Sequence, residues 1–180
     1  MRYFEKLFHT VVISMFLGLM SSLAFAADPV KVGFVYVGPI GDHGWTYRHD
    51  IGRQQVEEAF GDKVKTSYVE SVKYGPDAER VIRMLAETND IVFATSFGYM
   101  EPMLKVAKEF PNVYFEHATG YKQADNMSSY GLRLYQARHV QGIIAGMMTK
   151  TNKICYVAAY PIPEVIREIN TYYMGAKKMN

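Results

Sequence analysis

Lys31–Gly52, KVGFVYVGPIGDHGWTYRHDIG, runs from an unbroken apolar segment through a Gly/Pro-interrupted loop into a polar segment, and its reading decides the fold. A parallel strand buried on both faces reads as a continuous apolar run, so Val32 to Val37 is expected to be such a strand. An open α/β sheet takes its ligand in the crevice beyond the carboxyl ends of its strands. The loop Gly38 to Trp45, which ends on the only tryptophan of the chain, is therefore expected at the ligand.

Apolar runs recur at Val64 to Val69, Ile91 to Ala94 and Val113 to Phe115, more weakly at Met127 to Leu134, and again at Ile154 to Ala159. Helical spacing lies between them. Ala78, Val81, Ile82, Leu85 and Ala86 form one i, i+3, i+4 stripe, and Met103, Leu104, Ala107 and Phe110 form another. Pro76 and Asp77 mark a helix start. In the segment Gln136 to Met148, Gly142 and Gly146 lie one turn apart and predict close packing between two layers. This alternation implies βαβ units around a mainly parallel sheet, in a three-layer α/β lobe covering residues 27–150. Residues 151–180 read as a new strand over Lys153 to Ala159, a stiff Pro161-Ile162-Pro163 turn and a helix over Glu164 to Met179. A sixth strand of the same domain is the alternative. The helix face Val165, Ile169, Tyr172 and Ala176 is expected to lack cover.

Ahead of the lobe, Arg2 and Lys6 precede the apolar run Val11 to Leu19 and the Ala24-Phe25-Ala26 triplet. That pattern is a signal peptide over residues 1–26, cleaved before Ala27, with an apolar run too short for a comfortable membrane span. The mature chain is thus expected to be exported, most plausibly to a periplasm. A formal net charge of +2 and the lack of a Lys/Arg cluster speak against nucleic acid as a partner. The single cysteine, Cys155, rules out an internal disulfide and is expected to be buried in its apolar run.

Among chemistry-bearing residues, Trp45 offers a flat face for stacking on a planar heterocycle, and Asp42 offers either a carboxylate acceptor or a turn cap. The loop Thr95-Ser96-Phe97-Gly98-Tyr99 leaves a strand end and faces the same crevice, where Phe97 or Tyr99 is a candidate aromatic partner. A third loop, Glu116 to Gly120, leaves the next strand. His43, His49, His117 and His139 lack metal-ligand spacing, so no metal or cofactor is expected. No G-x-S-x-G elbow, triad signature or P-loop is present, and Pro39 has no N–H to give to a phosphate.

The strings GDHGWTYRHDIGR and YPIPEVIREIN, together with TSFGYMEPMLKVAKEFPNVYFEHATGYK and GLRLYQARHVQGIIAGMMTK, resemble the basic membrane protein (BMP) family of ABC-transporter substrate-binding proteins, which includes purine-nucleoside receptors. The resemblance implies a bilobal periplasmic-binding-protein fold with a ligand at the hinge, in chains about twice this length. It implies a chain truncated after the first lobe, carrying only the first strand and helix of a second, with weak purine binding. It also implies a permease partner in the inner membrane and no enzymatic activity. Asp42 resembles the acidic residue of the family's binding loop. Glu116 stands where the family commonly has a ligand-contacting aspartate. The runner-up is a small exported hydrolase acting on a nucleoside-like or sugar-like substrate through Asp42 or Glu116.

Overall fold

The computed structural model describes residues 28–179; the expected leader lies outside them. Five strands, β1 (Val30–Val35), β2 (Val64–Val69), β3 (Ile91–Ala94), β4 (Tyr114–Ala118) and β5 (Met127–Tyr130), form one sheet in the order β2-β1-β3-β4-β5. Every neighbouring pair is parallel. Helices α1 (Trp45–Phe60), α2 (Pro76–Ala86) and α3 (Met100–Glu109) make the first three crossovers, and α4 (Leu134–Met148) and α5 (Pro163–Met179) follow the sheet. The strand order reverses between β1 and β3. That switch point is where loops diverge and leave a crevice.

The two faces of the sheet are held differently. On one, Val35, Val92 and Phe115 pack under Val81, Ile82 and Leu85 of α2 and Met103 and Val106 of α3, all buried. Both apolar stripes expected for α2 and α3 point into this core. On the other face Val32, Phe34 and Tyr36 form a smaller cluster beneath α1. The buried residues of α1 are Thr46 and Asp50, not hydrophobes. Asp50 accepts from Arg53 Nε at 2.7 Å, from Gln54 Nε2 at 2.7 Å and from the Tyr36 hydroxyl at 3.4 Å. Arg53 also donates to the Thr66 hydroxyl at 2.8 Å and lies over the Tyr68 ring. A polar network therefore docks α1 where apolar packing docks α2 and α3.

Two expectations need correction. Lys153 to Ala159 forms no strand: it carries no regular secondary structure and joins none of the five strands of the sheet. Its β-forming composition has no sheet edge alongside, and a strand exists only when neighbouring backbone groups complete it. Val157 is 97 % exposed, and Cys155 is exposed, not buried as its apolar setting suggests.

The helix α4 does not pack between layers of the lobe but pairs with α5 as a helical hairpin. A Cβ on Gly142 would come within 2.0 Å of the Tyr172 carbonyl oxygen, and one on Gly146 within 2.4 Å of the Ala176 oxygen. The close approach inferred from the two glycines is thus real, but its partner is α5. Of the α5 face expected to lack cover, Ala176 is buried against α4 while Val165, Ile169 and Tyr172 stay half-buried, and Ile166, Tyr173 and Met174 are exposed.

Candidate ligand-binding site

Three loops converge at the carboxyl end of the sheet. After β1 the chain makes a single turn of 3-10 helix, Ile40–Asp42, passes through His43 in the left-handed region (φ 53°) and enters α1 at Trp45. The Trp45 indole N–H donates to the Thr95 carbonyl, tying the β1 loop to the β3 loop across the switch point. The Gly38 amide donates to the Thr46 hydroxyl at 3.1 Å, fixing the other end of the same loop. With its one polar side-chain atom used, Trp45 remains 39 % exposed. His49, one turn on, packs its ring 4.6 Å from that of Trp45, and burial holds its pKa below the usual histidine range.

The β3 loop is equally constrained. Thr95 is buried and donates to the Val35 carbonyl at 3.0 Å. The Ser96 carbonyl accepts from His117 Nε2 at 2.8 Å, which places the proton on Nε2 because a carbonyl can only accept. Burial pushes the His117 pKa down, with the Ser96 bond opposing it. Its Nδ1 is buried without a hydrogen-bond partner among the described residues.

A cavity of about 410 Å³ opens where these loops meet α4, α5 and the segment that joins them. Trp45, Tyr74 and Phe97 supply an aromatic wall, joined by Ser96 and Thr119 from the loops after β3 and β4. From the other elements the lining takes Arg138 of α4, Glu164 and Glu168 of α5, and Tyr156 and Tyr160 of the segment that joins them. Tyr74 and Ser96 share a hydrogen bond of 2.8 Å between their hydroxyls. The Arg138 Nε–H donates to buried Glu168 at 2.8 Å. Burial, then the charge of Glu168, raises the Glu164 pKa above the usual carboxylate range.

Of the five residues read as ligand contacts, Trp45 and Phe97 line this cavity. Asp42 ends the turn that precedes Trp45. Tyr99 is placed elsewhere: it is fully buried, and its hydroxyl donates to the Val72 carbonyl at 2.6 Å beneath the Tyr74 ring. The 3-10 turn Phe97–Tyr99 sends Phe97 and Tyr99 in different directions, one to the cavity and one to the core. Glu116 sits inside β4, not on a loop, because the strand continues to Ala118; its carboxylate accepts the Ser128 hydroxyl of β5 on the sheet face. Thr119 represents the β4 loop in the cavity instead.

Sequence reasoning missed Tyr74, Arg138, Glu164 and Glu168. Tyr74 was detectable, since it precedes Gly75-Pro76 at the end of the β2 loop, on the same sheet edge as the other loops.

Residues 29–180 match the family model of the PnrA-like ABC-transporter substrate-binding proteins. The chain is 52 % identical over 163 residues to a purine-binding protein of Brucella abortus, an alignment covering 90 % of this chain and 47 % of that protein. It is 45 % identical over 154 residues to a putative ABC-transporter glucose-binding protein of Haloferax volcanii, covering 85 % of this chain and 39 % of that one. The chain thus spans less than half the length of either relative. Among solved structures, an ABC-transporter solute-binding protein of Aeropyrum pernix superposes with a TM-score of 0.73 at 22 % identity, over 84 % of this chain and 44 % of that one. One of Conexibacter woesei gives 0.66 at 23 % identity, over 84 % and 51 %. At that identity the two structures speak for the α/β fold alone.

Proposed function

The chain belongs to the PnrA-like family of ABC-transporter substrate-binding proteins, and from that premise we propose that it captures a purine base or nucleoside in the cavity at the β1/β3 switch point. The observation that carries this reading is the Trp45 ring. It is half-exposed into the cavity, its N–H is already satisfied by Thr95, and Tyr74 and Phe97 share its wall. An indole so fixed offers a preorganised stacking platform, and stacking of a base on an aromatic side chain is worth about 1–3 kcal/mol. The printed name of the Brucella relative, purine-binding protein, supports the same ligand class.

The protein hands its solute unchanged to a permease in the inner membrane, after export directed by residues 1–26. Asp42 contributes a contact from the β1 loop. The name of the Haloferax relative motivates a second ligand arm, glucose, since aromatic walls also take the apolar face of a sugar.

Titration with adenine, adenosine, guanosine, inosine and glucose, followed by the fluorescence of the single tryptophan, tests the reading. Saturable quenching by purines that disappears in Phe97→Ala, with the purine recovered intact after prolonged incubation, is the expected result. Saturation by glucose alone rejects the purine reading, and conversion of the nucleoside rejects the receptor role.

A further inference from the structure

The cavity has two chemically different sides, and the charged one is not balanced. Glu168 is buried, with its side chain 7 % exposed, and its Oε2 takes the Arg138 Nε–H. Arg138 spends a second donor on Gln141 Oε1 at 2.9 Å. The Arg138 and Glu168 charges therefore cancel within one ion pair. Glu164 lies one turn earlier on α5, at i, i+4 from Glu168, and lines the same cavity. Its carboxylate makes no hydrogen bond or ion pair among the described residues; Arg167 only attracts it at longer range. The cavity thus pairs aromatic side chains with one carboxylate, Glu164, that has no hydrogen bond or ion pair among the described residues.

Resting on the purine reading above, we propose that Glu164 reads the donor edge of the bound ring and selects guanine-type, unphosphorylated purines. A carboxylate is acceptor-only, with two oxygens able to receive two parallel N–H groups. A guanine-type ring presents such a pair on its Watson–Crick edge, N1–H beside the 2-amino group. A hypoxanthine-type ring keeps only N1–H. An adenine-type ring places the lone pair of N1 beside its amino group, so one oxygen faces an acceptor. A site built around hydrogen bonds to a ligand discriminates against analogues that leave its polar groups unpaired. A phosphate group would add negative charge to a cavity whose only unbalanced group is already negative.

Isothermal titration of the full chain with guanosine, inosine, adenosine and guanosine 5′-monophosphate tests this, in the natural protein and in Glu164→Gln. Guanosine is expected to bind roughly tenfold tighter than inosine, the worth of one charge-assisted hydrogen bond, and tighter than its monophosphate. Glutamine offers one acceptor and one donor side by side, which matches the adenine edge. The variant is therefore expected to lose the guanosine preference and gain affinity for adenosine, a gain that misfolding cannot produce. Equal affinities for guanosine and inosine, or an unchanged order in Glu164→Gln, overturn the role of Glu164 while leaving purine binding intact. Absence of binding by every purine overturns the underlying reading and this inference with it.

Discussion

The sheet lobe and the α4–α5 hairpin solve the problem of helix packing in opposite ways. In the lobe, α2 and α3 present broad apolar stripes to a core that includes Ile82, Met103 and Phe115, so stability comes from apolar area removed from water. In the hairpin the contact residues are small. Gly142, Gly146 and Gly175 each lie where a Cβ would meet the facing backbone, and the larger side chains Val140, Ile144, Met147 and Met148 stay more than half exposed. Backbone closeness and the polar Arg138–Glu168 contact, not apolar side-chain burial, hold the pair. The hairpin should consequently tolerate less steric change and contribute less free energy than the lobe.

The contrast predicts effects that fall in a definite order. Phe115→Ala, a truncation at the centre of the lobe core, is expected to cost about 4 kcal/mol, measured by urea unfolding. A loss below about 1 kcal/mol would mean that the apolar face does not carry the lobe. Asp50→Ala comes next, at about 3 kcal/mol, because it takes the shared acceptor from Arg53, Gln54 and Tyr36 beneath α1 and leaves Arg53 only Glu57 and the Thr66 hydroxyl. Burial alone would raise the Asp50 pKa, but its bonds from Arg53, Gln54 and Tyr36 outweigh this and hold it below the usual aspartate range. A carboxylate with a depressed folded pKa stabilises fully above its unfolded value and loses that contribution as pH falls through the depressed one. Asp50→Asn should therefore flatten the acid limb of the stability–pH curve, and an acid limb identical to that of the natural protein would refute the network's role.

Gly142→Leu gives the smallest loss of global stability, about 2 kcal/mol, as overpacking at a tight contact does. Its signature is local: amide hydrogen exchange should accelerate throughout α4 and α5 while β1, β3 and β4 keep their protection. Uniform acceleration across the sheet would show that hairpin and lobe form one cooperative unit.

The same contrast explains what was legible in the chain. β3 and the apolar stripes of α2 and α3 could be placed from the apolar pattern because that pattern and the buried face coincide there. Trp45 and Phe97 were recognisable because a parallel sheet sends every β-to-α loop to one edge. Tyr99 was not, since two residues of a tight turn separate cavity from core and composition does not say which aromatic goes where. Glu116 was misplaced because β4 outlasts its apolar run: the next residue, His117, is buried by its bond to the Ser96 carbonyl instead of by hydrophobicity. Arg138 becomes a neighbour of Glu164 and Glu168 only through the α4–α5 pairing. Their sequence trace, two glutamates at i, i+4 after a Pro-Ile-Pro turn, resembles any solvated helix face.

The segment Lys153 to Ala159 keeps the composition of a strand without a strand's partners. Proteases bind their substrates as extended ribbons through main-chain hydrogen bonds, and seven residues outside any helix or strand lie between α4 and α5, free of ladder bonds that would compete. A first nick there would leave α4 and α5 associated through their glycine contacts although no longer covalently joined, so the cut would be visible by mass before it was visible by circular dichroism.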